Sequence, residues 1–226
     1  MENNDIKLII YDLDGVLCDC RDLHYEALNH ALDAADPKYV ISREDHLSKF
    51  DGLNTKAKLN ILKKERGLSD TDINIVFTLK QKYTIDLIEN MNEDWRMRSV
   101  LRELKERNLK IAVCSNSIRQ TVKMILVRTG LIDFIDFYFS NEDVKNPKPS
   151  SEIYLKAMIK AGVSPNETLI VEDSPTGRKA ASNSGANVMG VYSPDDVTIE
   201  NINKHLNMEE KETRWSDPNL TVLIPM

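Results

Sequence analysis

Apolar and polar residues follow two different rhythms along this chain. Near the start, Lys7–Tyr11 (KLIIY) has the character of a strand buried on both faces, and it runs straight into two aspartates, Asp12 and Asp14. In the second half, segments with helical spacing alternate with short apolar runs. SVLRELKERN precedes LKIAVCS, IRQTVKMILVRTG precedes LIDFIDFYFS, SEIYLKAMIKAG precedes TLIVED, and TGRKAASNSG precedes ANVMGVY. Three of these helices run out at a glycine, Gly130, Gly162 or Gly185. Glycine accepts the left-handed conformation that stops a helix. Helix alternating with buried strand predicts an α/β fold with a parallel sheet covered on both faces.

The stretch from Arg21 to Asp94 keeps helical periodicity throughout (DLHYEALNHALDAAD, TKAKLNILKKERG, DINIVFTLKQKYTIDLIENM) and shows no convincing buried strand. The first strand therefore stands apart from the rest of its sheet. The expected organisation is a core domain made of residues 1–20 and 93–226, with a helical cap of residues 21–92 inserted after the first strand. LKKERG, at Leu62–Gly67, reads as a solvated helix end. The tail beyond Asn201 is charged and closes on LTVLIP, an expected edge strand without a firm place in the sheet.

Composition narrows the partners. The chain has 226 residues, a net charge of −6 and no basic stripe, so nucleic acid is not an expected partner. No apolar run approaches the roughly 20 residues that span a bilayer, so no membrane role is expected. The opening MENNDIK is polar and acidic and reads as neither a signal nor a transit peptide. Three cysteines, Cys18, Cys20 and Cys114, suit a reducing, cytoplasmic setting. Cys18-x-Cys20 supplies half of a soft-metal ligand set, and no cluster of His or Cys in the sequence completes it.

Ligands of open parallel sheets bind beyond the carboxyl ends of the strands. The expected strand ends carry Asp12 and Asp14, then Ser115, Asn116 and Ser117, then Lys148 between Pro147 and Pro149, then Glu172 and Asp173. Carboxylates about 4 Å apart repel by roughly 1 kcal/mol in water and about 4 kcal/mol at an effective dielectric of 20. A hard cation removes that cost, and ligands offering oxygen alone favour Mg²⁺, which commonly shares a phosphate oxygen. Ser115 at a strand-to-helix turn and the Lys148 point charge suit that phosphate. Ser117 is expected to cap the helix that follows.

In order, DLDGV, VCSNS, NPKPS and VEDSPTG resemble the motifs of the haloacid dehalogenase superfamily of phosphotransferases. The resemblance covers Lys7 to about Ser193 and is strongest to the branch of β-phosphoglucomutase and phosphoglycolate phosphatase. It implies a Rossmann-like core with a helical cap and a Mg²⁺-dependent phosphatase of small phosphomonoesters, with a sugar-phosphate mutase as the alternative. It implies Asp12 as nucleophile, Asp14 as acid and base, Ser115 and Lys148 as holders of the phosphoryl group, and Asn116 beside them. Asp12, Asp173, the Asp14 carbonyl and Glu172, directly or through water, would hold Mg²⁺. In the insert, His24, Lys80 and the loop Asp51–Lys56, with Gly52 and Thr55, match substrate-facing positions. The mutase branch carries an arginine where this chain has Thr55, which favours hydrolysis. A small phosphorylated metabolite is the expected partner of an expected monomer.

Overall fold

A computed structural model describes residues 6–50 and 52–206. In chain order it contains β1 (Leu8–Tyr11), α1 (Arg21–Ala35), the short α2 (Arg43–Asp45), which runs into a π-helical turn at His46–Phe50, α3 (Thr55–Arg66) and α4 (Asp70–Ile88). There follow α5 (Trp95–Glu106), β2 (Lys110–Cys114), α6 (Arg119–Arg128), β3 (Phe137–Phe139), α7 (Glu152–Ala161), β4 (Thr168–Glu172), α8 (Pro175–Ser182), β5 (Asn187–Gly190) and α9 (Ile199–His205). The expected LTVLIP strand lies outside the described residues. None of the described helices is long and apolar enough to cross a membrane.

The five strands form one parallel sheet in the order β3-β2-β1-β4-β5. The chain builds outward from β1 on one side through β2 and β3, then crosses to the other side for β4 and β5. The sheet therefore switches direction beside β1, and the crevice that such a switch opens lies at the carboxyl ends of its strands. Tyr11 pairs with Val113 and with Val171. The next residues, Asp12, Cys114 and Glu172, thus arrive level with one another.

Every residue of β1 is buried. Ile9 and Tyr11 pack with α5, α6 and α9, whereas Leu8 and Ile10 pack with α7 and α8. Period-two alternation in a strand covered on both faces explains why the strand reads as a continuous apolar run. Each such aliphatic side chain contributes about 1.5–3 kcal/mol on full burial. The helix-ending glycines Gly130, Gly162 and Gly185 all take positive φ, as expected. Only Phe137–Phe139 of the run LIDFIDFYFS forms strand, because Ile132–Phe134 coils into a 3-10 turn first.

Between β1 and β2 the described chain forms helices and no strand. These helices have an apolar cluster of their own, with Leu28, Leu32, Phe50, Leu59, Leu62 and Val76 among its members. Asn54 and Ser69 cap α3 and α4 by accepting hydrogen bonds from the backbone N–H groups of Ala57 and Asp72.

Candidate active site

Backbone pairing carries the strand register into the site. The Asp12 N–H donates to Val171 O at 3.0 Å, and the Ser115 N–H donates to Phe139 O at 3.1 Å. Lys148 enters from the loop before α7, and its Nζ donates to Asp12 Oδ1 at 2.7 Å and to Glu172 Oε1 at 2.5 Å. Tyr154 on α7 donates its hydroxyl to the same Glu172 oxygen at 2.5 Å, and its ring lies 4.9 Å from the ammonium. Ser174 donates to Glu172 Oε2 at 3.4 Å. Glu172 and Tyr154 are both 0% exposed.

This network sets the charges. Burial pushes the Asp12 carboxyl well above its usual range; Lys148 opposes that shift, and Glu172, Asp173 and Asp14 reinforce it. Burial disfavours the Lys148 ammonium, but Asp12 and Glu172 more than compensate and hold it charged. Two glycines are required by close approach. A Cβ on Gly15, whose φ is +87°, would sit 2.1 Å from an Asp173 oxygen, and one on Gly177 would sit 1.9 Å from Glu172 Oε1.

Asp14 faces the other way. Its Oδ1 lies 3.2 Å from His24 Nε2, and its Oδ2 accepts from the Ser117 hydroxyl at 3.2 Å. This corrects the expectation that Ser117 caps the following helix. The N-cap of α6 is Ile118, which has no side-chain cap bond, and Ser117 is free to turn toward Asp14. Burial raises the Asp14 carboxyl, but His24, Ser117 and Lys80 together bring it down to about 2. Burial lowers His24, with Lys80 adding to that effect against Asp14. The neutral imidazole then donates Nε2–H to Asp14 and offers Nδ1 to Lys80 Nζ at 3.4 Å. Lys80 falls to about 7 through burial first and the nearby Lys58 charge second.

Asp12, Asp14, His24, Gly52, Thr55, Lys80, Ser115, Asn116, Lys148 and Asp173 all line one cavity of about 350 Å³ beneath the inserted helices. Asp51 lies outside the described residues. The Asn116 side chain is largely engaged by backbone. Its amide donates to Gly52 O at 3.0 Å and Lys148 O at 3.3 Å, and its oxygen accepts from the Lys148 N–H at 3.1 Å. It ties the inserted loop to the floor of the cavity. Sequence reasoning missed Tyr154, Phe77 and Lys58. The last has a legible signal: it is a titratable residue on the buried stripe of α3, as His24 is on α1 and Lys80 on α4.

Oxygen atoms of Asp12, Glu172 and Asp173 lie within 4.8 Å of one another. A donor set of carboxylates alone fits a hard cation such as Mg²⁺. The Asp14 carboxylate is not in that cluster; its oxygens are engaged by His24 and Ser117 instead.

This arrangement has counterparts. The chain is 27% identical over 180 residues to the phosphorylated carbohydrates phosphatase of Thermotoga maritima, across 80% of this chain and 82% of that protein. It is 30% identical over 174 residues to the pyrophosphatase PpaX of Bacillus pumilus, across 77% of each. Among solved structures, a β-phosphoglucomutase from Clostridium difficile shares the fold with a TM-score of 0.76 at 23% identity, covering 89% of this chain and 97% of that one. CbbY from Rhodobacter sphaeroides, in complex with phosphate, does so with a TM-score of 0.74 at 22% identity, covering 83% and 88%. Residues 9–191, which run from β1 to just past β5 and so take in every strand end of the site, match the haloacid dehalogenase-like hydrolases, and the chain belongs to that family.

Proposed function

We propose that the protein is a Mg²⁺-dependent phosphatase that hydrolyses a small phosphomonoester through an aspartyl phosphate on Asp12. The observation that carries this reading is convergence. Asp12, Asp14, Ser115, Lys148 and Asp173 come from four separate strand ends and loops and line one cavity under a helical insert. We take residues 21–92 as the cap and residues 1–20 and 93–226 as the core.

Asp12 attacks phosphorus, the bond to the leaving oxygen breaks, and Asp14 gives that oxygen its proton. Asp14 is ionised at rest, and a phosphoryl dianion arriving beside it favours the protonated form that this step needs. Water then attacks phosphorus while Asp14 takes its proton, and the Asp12 carboxylate is released with inorganic phosphate. Ser115 and Lys148 hold the phosphoryl oxygens, and Lys148 also balances Asp12 and Glu172 between turnovers. Asp12, Asp173 and the Asp14 main-chain carbonyl would hold Mg²⁺, which would supply charge neutralisation to the phosphoryl group. Glu172, whose oxygen lies in the same cluster, would hold it directly or through water. His24 orients Asp14, and Lys80, Gly52 and Thr55 face the leaving group.

Transfer to a sugar hydroxyl is not favoured. Relatives in sequence include a protein named phosphatase and others named pyrophosphatase, and the segment Gly52–Lys58 holds no arginine to grip a distal phosphate. Three free thiols suit a reducing cytoplasm.

The test is a phosphate-release screen with millimolar Mg²⁺ over sugar phosphates, phosphoglycolate, nucleotides and pyrophosphate, run on wild type and Asp12→Asn. Release from at least one compound, lowered by about 10³-fold or more in the variant and stopped by EDTA, is expected. A variant within tenfold of wild type would remove Asp12 from the nucleophile role.

A further inference from the structure

Among the described residues, two groups of metal-ligating atoms lie at this end of the sheet. One is the oxygen set of Asp12, Glu172 and Asp173. The other is Asp14, Cys18 and Cys20, whose carboxylate oxygen and two sulfurs also lie within 4.8 Å of one another. Phosphatase chemistry uses Asp14 and leaves both thiols without a task. Neither thiol is in a disulfide, both are buried, their Sγ atoms sit 2.7 Å apart, and the Cys18 thiol also donates to Leu13 O at 3.6 Å.

The backbone that carries these three side chains is held at both ends. The Gly15 N–H donates to Cys18 O at 2.7 Å, and the Cys18 N–H donates to Leu13 O at 3.1 Å. Cys20 is the N-cap residue of α1, and the His24 N–H donates to its carbonyl at 2.9 Å. The fold thus keeps the three side chains together in one loop.

We propose that Asp14, Cys18 and Cys20 bind one soft divalent cation of the zinc or cadmium class, and that its binding withdraws Asp14 from the reaction. The first half stands on geometry alone; the second rests on the phosphatase reading. Thiolates select Zn²⁺ or Cd²⁺ and reject Mg²⁺, so the two sets sort their ions by chemistry. On binding, the ion replaces the two thiol hydrogens, and both protons pass to solvent. Zinc about 2.3 Å from each sulfur in a tetrahedral site spaces them roughly 3.8 Å apart. The pair therefore opens by about an ångström, within reach of small rotations about the two Cα–Cβ bonds. The Asp14 carboxylate lines the cavity, so an ion would reach the buried thiols past it.

The experiment titrates the full chain with Cd²⁺ in millimolar Mg²⁺ and follows the ultraviolet thiolate-to-cadmium charge-transfer band. The band is expected to saturate at a single ion per chain and to resist excess Mg²⁺. It should vanish in Cys18→Ser and in Cys20→Ser and persist in Cys114→Ser, whose thiol donates to Ile153 O at the far side of the sheet face. The Zn²⁺ concentration that halves turnover, each variant judged against its own metal-free-of-zinc rate, should rise about tenfold or more in Cys18→Ser. A missing band, a band that survives either substitution, or one that Mg²⁺ displaces would overturn the site. The Mg²⁺ competition needs no variant, so displacement of the band by Mg²⁺ overturns the site even where a serine substitution impairs folding, and a band kept in Cys114→Ser assigns it to Cys18 and Cys20. A full band in a protein that releases phosphate from no substrate would support the site and overturn the phosphatase reading.

Discussion

The floor and the roof of the cavity treat their lysines in opposite ways. On the floor, Lys148 lies between Asp12 and Glu172 and is held charged well above the ordinary lysine range. On the roof, Lys80 is equally buried, but its strongest charged neighbour is Lys58, and its ammonium gives up a proton near pH 7. The floor is built on parallel strands whose register places each acid, and it neutralises itself. The roof is built on helices with a separate apolar core, and it presents positive charge toward Asp14. Invariant chemistry suits the first design, and a charge that responds to the leaving group suits the second.

The largest effect should come from breaking the floor. Lys148→Met strands Asp12 and Glu172 beside each other in a buried site. We expect a loss of about 3–5 kcal/mol of stability, measured by denaturant unfolding in EDTA. A loss under about 1 kcal/mol would mean that the two acids are neutralised some other way.

Metal should act on the same acids from the other direction. Mg²⁺ at 100 times its dissociation constant adds about 2.7 kcal/mol, or roughly 5–10 °C in melting temperature for a chain of this size. EDTA should reverse the shift, and Asp173→Asn should shrink it. A melting curve indifferent to millimolar Mg²⁺ would take the metal out of the floor.

The smallest effect concerns the roof. Lys80 is lowered to about 7, so its charge is present below that pH and lost above it, and its hold on an anionic substrate weakens as pH rises. Between pH 6 and 8.5 the wild-type KM should rise by up to about tenfold more than that of Lys80→Arg, whose guanidinium stays charged. Measuring both enzymes on one substrate cancels the titration of the phosphate itself. Parallel profiles would show that Lys80 does not face the substrate as a charge.

Much of the floor was legible in the sequence because strands buried on both faces are continuous apolar runs, and the polar residues that end them stand out. Asp12, Ser115, Glu172 and Asp173 follow from that contrast, and Lys148 from its place between two prolines in the loop after the third strand. The partners of those residues were not legible. Tyr154 reads as one more buried residue of an amphipathic helix, and only the approach of α7 to β4 gives its hydroxyl an acceptor in Glu172. Ser117 looked like a cap because serine at a helix start usually is one. The helix begins two residues later, and the hydroxyl turns to Asp14. On the roof, a resemblance pointed to His24 and Lys80, but Lys58 needed the observation that it shares a buried stripe with Leu59 and Leu62.

By itself the sequence determined the alternation of helix and strand, the helical insertion after β1 and the order of the chemical groups along the chain. These follow from local periodicity and from residue type, which act over a few residues. Tertiary structure decided which groups meet. It parted Asp14 from the three-acid cluster, joined it to His24 and Ser117, and set Lys58 against Lys80. Those pairings span up to 103 residues of chain and depend on the crossing of separate elements, a distance over which periodicity carries no information.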